Sequence, residues 1–143
     1  VHVLIATDAD WVLNEVRAAL EGAGTTFTVC RSGRDVVPAV EARTPDVALL
    51  DLQIGSMGGM AVTMDLRLDE TAGVLPRVPI VMLLDRTADV HLARRSGADT
   101  WLVKPLDPIS LRRAVATAIE PPTEVDPSGE VAGSPDGEAA VSG

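Results

Sequence analysis

Apolar and polar positions alternate in blocks along this chain, and each block has the length of one strand or one helix. Val1–Ala6 is an apolar run that ends at Thr7-Asp8-Ala9-Asp10, as a buried strand would. Val12, Val16, Ala19 and Leu20 then fall on one stripe of a helix, which Asp8 or Asp10 is placed to cap and which Gly22 and Gly24 close. Thr25–Cys30 is rich in β-branched residues and predicts a second strand. Ser32–Arg43, with Val36, Val37 and Val40, predicts a second helix whose first turns contain Pro38. Pro45 and Asp46 precede Val47-Ala48-Leu49-Leu50, an unbroken apolar run of the kind found in strands buried on both faces of a parallel sheet. Asp51 closes that run, and Gly55, Gly58 and Gly59 follow in a loop.

The second half repeats the alternation. Met60–Glu70 has helical spacing through Ala61, Met64, Leu66 and Leu68, and is broken by Gly73 and Pro76. Val78–Leu84 predicts a fourth, central strand, and Ala88–Ser96 a short helix closed by Gly97. Thr100–Val103 predicts a fifth strand ending at Lys104-Pro105. A last helix starts at Asp107 or Ser110 and buries Leu111, Ala114, Val115, Ala118 and Ile119. Five strand–helix units with right-handed crossovers predict an α/β fold, a doubly wound five-stranded parallel sheet of order 2-1-3-4-5 with helices on both faces. The domain spans residues 1–120. Pro121-Pro122 opens an acidic, Pro/Gly/Ser-rich stretch, 121–143, predicted to be disordered.

Composition narrows the functional classes. The 143 residues suit one domain, and a hydrophobic fraction of 46% with only 2% aromatic means an aliphatic core. Cys30, the single cysteine, excludes an internal disulfide framework, and with two histidines a Cys/His metal centre is implausible. No apolar run is long enough to cross a bilayer and no leader pattern opens the chain, so a cytoplasmic protein without membrane contact is expected. The net charge is −9: residues 1–120 carry 12 basic against 16 acidic side chains, and 121–143 carry five acidic and none basic. Such a chain is repelled by phosphate backbones, so direct nucleic-acid binding is not expected.

Candidate chemistry gathers at three strand ends. In the expected strand order, Thr7-Asp8 and Asp51 end adjacent strands, and ligands of open α/β sheets bind at that edge. Asp8 and Asp51 together offer oxygen ligands to a hard cation such as Mg²⁺. Lys104 brings a point charge suited to a phosphate oxygen. Each residue alone is readily explained as a helix cap or a turn; the three together predict a phosphoryl site.

With these residues assembled, the chain resembles a response-regulator receiver domain, the CheY-like phosphoacceptor module of two-component signalling. The resemblance rests on Val-Leu-Ile-Ala-Thr-Asp at the start, Val-Ala-Leu-Leu-Asp-Leu around Asp51, Pro-Ile-Val-Met-Leu-Leu, and Gly97-Ala98-Asp99 through Lys104-Pro105. It implies that Asp51 is the phosphorylated residue, that Asp8, Asp51 and the Gln53 carbonyl hold Mg²⁺, and that Lys104 binds the phosphoryl group. Trp101 stands at the aromatic switch position, and ordinary core filling explains it equally well.

The chain also departs from the family pattern. Thr7 replaces one of two adjacent acids, which predicts weaker Mg²⁺ binding. Leu84 replaces the Ser or Thr whose hydroxyl turns toward the phosphoryl group. Asp85 replaces a small residue and puts a negative charge near an incoming phosphate, and Gly55 stands where Pro is common, predicting a looser loop. The expectation is therefore an atypical, stand-alone receiver, not an enzyme, that accepts a phosphoryl group from a histidine kinase or phosphotransfer protein and signals to a target protein by contact. A homodimer through the fourth helix, fifth strand and fifth helix fits the family's partner surface, with Arg94, Arg95 and His91 beside Trp101. Trp11, expected to be partly exposed, is a weaker candidate for a contact surface. The alternative is a phosphorylation-independent binding module with a degenerate switch.

Overall fold

A computed structural model describes residues 1–120; the predicted disordered stretch 121–143 lies outside the described residues. The elements run β1 (His2–Ala6), α1 (Asp10–Leu20), β2 (Thr26–Cys30), α2 (Val36–Ala42), β3 (Val47–Asp51), α3 (Gly59–Thr71), β4 (Ile80–Leu84), α4 (Val90–Ser96), β5 (Thr100–Val103) and α5 (Pro108–Ile119). All strand pairs are parallel and the order is β2-β1-β3-β4-β5, as the alternation predicts. The central strands β1, β3 and β4 are buried along their whole length, which is why their sequences are continuous apolar runs rather than alternating ones. Two aliphatic cores result. One, with Leu4, Leu50, Ile80, Met82 and Leu84, lies under α2, α3 and α4; the other, with Ile5, Leu49, Val81 and Leu83, lies under α1 and α5.

Several local expectations change. Ala9, not Asp8 or Asp10, is the N-cap residue of α1, and no side chain caps it. Asp8 is unavailable because its carboxylate turns to the β3–α3 loop, while Asp10 is already inside the first turn. Asp107 does cap α5, accepting from the Ser110 N–H at 2.8 Å. The stretches predicted as the second and fourth helices each open with a 3₁₀ turn, Gly33–Asp35 and Thr87–Asp89, before the α-helix begins. β4 starts at Ile80 rather than Val78, because Pro79 has no N–H for the ladder.

The largest correction concerns α3. Of Ala61, Met64, Leu66 and Leu68, whose spacing predicts this helix, only Leu66 is buried; Ala61 is exposed, Met64 is 45% exposed and Leu68 66%. The buried stripe is Gly59, Val62, Thr63 and Leu66. Thr63 is tolerated there because its hydroxyl donates to the Gly59 carbonyl at 2.8 Å, so no polar group is left unsatisfied. Gly59 itself is required, since a Cβ would lie 2.8 Å from the Asp51 carbonyl oxygen and 3.0 Å from Met82 Sδ. This close approach seats the first turn of α3 directly behind the end of β3. Ile119, expected on the buried face of α5, is 39% exposed at the end of that helix.

Candidate functional site

Parallel registry assembles the site at the carboxyl edge of the sheet. Ala6 pairs with Leu50, so the next residues, Thr7 and Asp51, stand side by side. Leu84 pairs with Val103, so Asp85 and Lys104 stand side by side in the same way. The Lys104 N–H donates to the Leu84 carbonyl at 2.7 Å and holds that second pair in place.

Asp51 is 2% exposed, and its carboxylate accepts three hydrogen bonds. Thr7 Oγ1 donates to Oδ2 at 2.9 Å; the Gln53 N–H and Lys104 Nζ donate to Oδ1 at 3.2 and 2.8 Å. The direction of the Thr7 bond is fixed by its neighbours. Its oxygen accepts from the Ala9 N–H at 3.1 Å, leaving its one hydrogen for Asp51. A buried carboxylate without such partners would be strongly disfavoured, so these donors are what allows it to stand at the end of a fully buried strand.

Lys104 is largely buried, and its amine is shared. Nζ lies 2.8 Å from Asp51 Oδ1 and 2.8 Å from Asp85 Oδ1, and 5.8 Å from the centroid of the Trp11 ring. Burial alone would lower the lysine pKa, but the hydrogen bonds and charges of Asp51 and Asp85 outweigh it and raise the pKa above its usual value. Lys104 therefore carries its charge at any physiological pH. Trp11, 49% exposed at the start of α1, forms one wall over this amine.

The residues flanking the pair behave unevenly. Asp8 is exposed, and its Oδ2 accepts from the Gly55 N–H at 3.0 Å. Gly55 does not loosen its loop as its sequence position suggested. Its N–H holds Asp8 and its carbonyl accepts from the Gly33 N–H at 3.1 Å, whereas a proline would have no N–H for Asp8. Leu84 is fully buried in the α2–α4 core, and Trp101 packs partly buried against that core with the Arg94 guanidinium 5.3 Å from its ring centroid. Trp101 sits at the edge strand, with α4 against its ring.

Asp8, Asp51 and the Gln53 carbonyl are hard oxygen donors of the type Mg²⁺ takes. No three acidic, His or Cys side chains converge on one point among the described residues. A cation that keeps several waters and uses one or two carboxylates fits this set; one that needs a full protein cage does not.

The response regulator receiver domain family matches residues 3–116, and the chain belongs to that family. It is 33% identical over 108 residues to the transcriptional regulatory protein CseB of Streptomyces avermitilis, covering 74% of this chain and 43% of that one. It is 35% identical over 112 residues to the DNA-binding response regulator MtrA of Mycobacterium tuberculosis, covering 77% and 46%. The chain thus spans less than half the length of these curated relatives. Among solved structures, a response regulator from Chloroflexus aurantiacus superposes with a TM-score of 0.74 at 24% identity, over 82% of this chain and 96% of the other. The receiver domain of a Pseudomonas aeruginosa sensor histidine kinase, with magnesium coordinated in its active site cleft, gives 0.72 at 24% identity over 82% and 96%. Identities at this level establish the shared CheY-like fold. Receiver domains are signalling modules of two-component systems, and this chain is one.

Two features of the site were not evident from the sequence pattern. Thr7 reads there as a lost acid, and is in fact a hydrogen-bond donor to Asp51. Asp85 reads as a nearby negative charge, and is in fact an ion-pair partner of Lys104. Strand registry was the signal for both, since each pair follows directly from the last paired residues of adjacent strands.

Proposed function

We propose that Asp51 accepts a phosphoryl group from the phosphohistidine of a histidine kinase or phosphotransfer protein. The observation that carries this reading is the buried Asp51 carboxylate held 2.8 Å from the Lys104 amine at the carboxyl edge of the central strand. An Asp51 oxygen forms the new bond to phosphorus. The phosphorus–nitrogen bond of the donor breaks, its electron pair stays on the imidazole nitrogen, and the product is an acyl phosphate on Asp51. Lys104 supplies fixed positive charge beside the transferred oxygens, and Thr7 and the Gln53 N–H hold the carboxylate in place. Asp8, Asp51 and the Gln53 carbonyl would hold Mg²⁺, which when bound neutralises charge on the phosphoryl oxygens. With Thr7 in place of an acid, affinity for that ion is lower than in a three-carboxylate pocket.

The receiver would occupy residues 1–120 of a cytoplasmic protein and transmit its state through protein contacts. The face made by α4, β5 and α5, with Trp101 and Arg94, is the surface we assign to a target or a second copy. The acidic charge of the domain leaves it unsuited to contact DNA directly. Leu84 favours a second reading, a binding module indifferent to phosphorylation, because a fully buried leucine has no hydroxyl to turn toward a phosphoryl group.

Intact-mass measurement after incubation with Mg²⁺ and acetyl phosphate tests the first reading. A phosphoryl adduct on the parent that is absent from Asp51→Asn is expected. Adduct-free parent protein, with both this donor and a phosphorylated kinase, would favour the second.

A further inference from the structure

We propose that Asp85 is a positioning residue that restrains phosphorylation of Asp51 by competing for Lys104; this rests on the phosphoacceptor reading above. The competition follows from the fold. Registry between β4 and β5 places Asp85 next to Lys104, and the two carboxylates of Asp51 and Asp85 converge on one ammonium at equal distances of 2.8 Å.

The charge balance is unfavourable to an incoming anion. The Lys104 side chain is 9% exposed, and its amine already serves two acceptors while facing the Trp11 ring. A phosphoryl group arriving on Asp51 brings further negative charge to a point where two carboxylates share one cation. To bind it, Lys104 must give up hydrogen bonding to Asp85 or divide its charge three ways. Asp85 would then stand unneutralised, close to the new anion, in a setting where like charges repel more than they do in water. The Asp85 side chain is 44% exposed, so water reaches it once Lys104 has moved away. Arg86 gives Asp85 only a weaker Coulombic attraction, because its guanidinium is hydrogen-bonded to Asp89 at 2.8 and 3.3 Å.

Asp85 follows the last residue of β4, its carboxylate caps no helix, and Lys104 is tethered independently by its own N–H to Leu84. Removing the charge while keeping the shape therefore isolates the competition from folding.

The experiment is a time course of adduct formation by intact mass with Mg²⁺ and acetyl phosphate, on parent, Asp85→Asn, Asp85→Glu and Asp51→Asn, each first checked for an unchanged thermal transition. Asp85→Asn is expected to raise the rate of adduct formation roughly tenfold, a barrier change of about 1.4 kcal/mol. Asp85→Glu keeps the charge and is expected to stay near the parent rate. An adduct seen on Asp85→Asn but not on the parent would be the same result in stronger form. Equal rates for parent and Asp85→Asn, or a slower Asn variant, would overturn the competition while leaving the phosphoacceptor reading intact. Absence of any adduct on every variant, with acetyl phosphate and with a phosphorylated kinase alike, would overturn the phosphoacceptor reading itself, and the role of Asp85 with it.

Discussion

Asp51 and Asp99 are both partly or wholly buried carboxylates, each held by several donors, and they stand at opposite edges of the sheet. Asp99, just before β5, accepts from the Ile80 N–H at 2.8 Å and from Arg67 Nη2 at 2.8 Å, and it pairs with Arg77 as well. Two guanidinium groups serve that one carboxylate. At Asp51 the ratio is reversed, since one ammonium serves Asp51 and Asp85. An over-neutralised acid clamps β4, β5 and α3 together and has nothing left to bind. An under-neutralised one, at the edge where strand ends open, retains a demand for positive charge that a cation would meet. Charge ratio, more than burial, separates the structural acid from the proposed phosphoacceptor.

That comparison predicts opposite outcomes for two removals. Asp51→Asn is expected to abolish the adduct yet leave the fold standing, because the amide oxygen still accepts hydrogen bonds and the contest for Lys104 is relieved. Asp99→Ala is expected to cost about 1–3 kcal/mol in urea unfolding, since it leaves the Ile80 N–H without its acceptor and takes a carboxylate from Arg67, which keeps Glu70 and two carbonyls, and from the more exposed Arg77. Its effect on adduct formation should be slight by comparison. A loss under about 1 kcal/mol would mean that the Arg67–Asp99–Arg77 cluster is only a surface ion pair and that the contrast between the two edges is weaker than drawn.

Much of this architecture was legible before any coordinates. Unbroken apolar runs such as Val47–Leu50, bounded by turn residues, suit strands buried on both faces, and the strand–helix alternation with right-handed crossovers predicts the parallel order. Asp51, Asp8 and Lys104 were legible for the same reason, as polar residues terminating such runs. The α3 face was not. Ala61, Met64 and Leu68 and the buried Gly59, Val62 and Leu66 both follow helical spacing, and apolarity alone does not say which stripe meets the sheet. The deciding fact is tertiary, namely that only glycine fits where the helix crosses behind Asp51. Side-chain partnerships were equally hidden. The Thr7 hydroxyl and the Asp85 carboxylate acquire their roles from registry between strands distant in sequence, so a position-by-position reading assigns each a loss or a nuisance rather than a bond.

Thr7 sharpens the contrast at the Asp51 edge. It is fully buried, and its hydroxyl links the Ala9 N–H to the Asp51 carboxylate. Thr7→Val keeps the shape and deletes both bonds, leaving a buried N–H and one carboxylate oxygen short of a partner. The expected loss is about 1–2 kcal/mol in denaturant unfolding, and Thr7→Ser should recover most of it. Equal stability of the valine and threonine forms would indicate that water replaces the hydroxyl, and that Asp51 depends on Lys104 and Gln53 alone.

The smallest effect belongs to the amino edge, at His2. Its ring lies between two hydroxyls of the neighbouring strand, Thr26 at Nδ1 and Thr28 at Nε2, each at 2.7 Å. Burial, assisted by the charge of Arg43 and opposed by that of Asp46, lowers its pKa below the ordinary 6.5. In the unfolded chain His2 binds a proton below that ordinary value, whereas the folded domain resists it. Between the two pKa values the unfolded state therefore holds more protons, and stability rises with pH across that window. The contribution is fully present above 6.5 and is lost as the pH falls through it. Urea titrations of the parent and of His2→Asn across this range isolate the term from other titrating groups. The parent should lose stability toward acid more steeply than the variant. Parallel slopes would show that the two threonine hydroxyls accommodate the charged ring, and would remove His2 from the set of groups that tie this edge to pH.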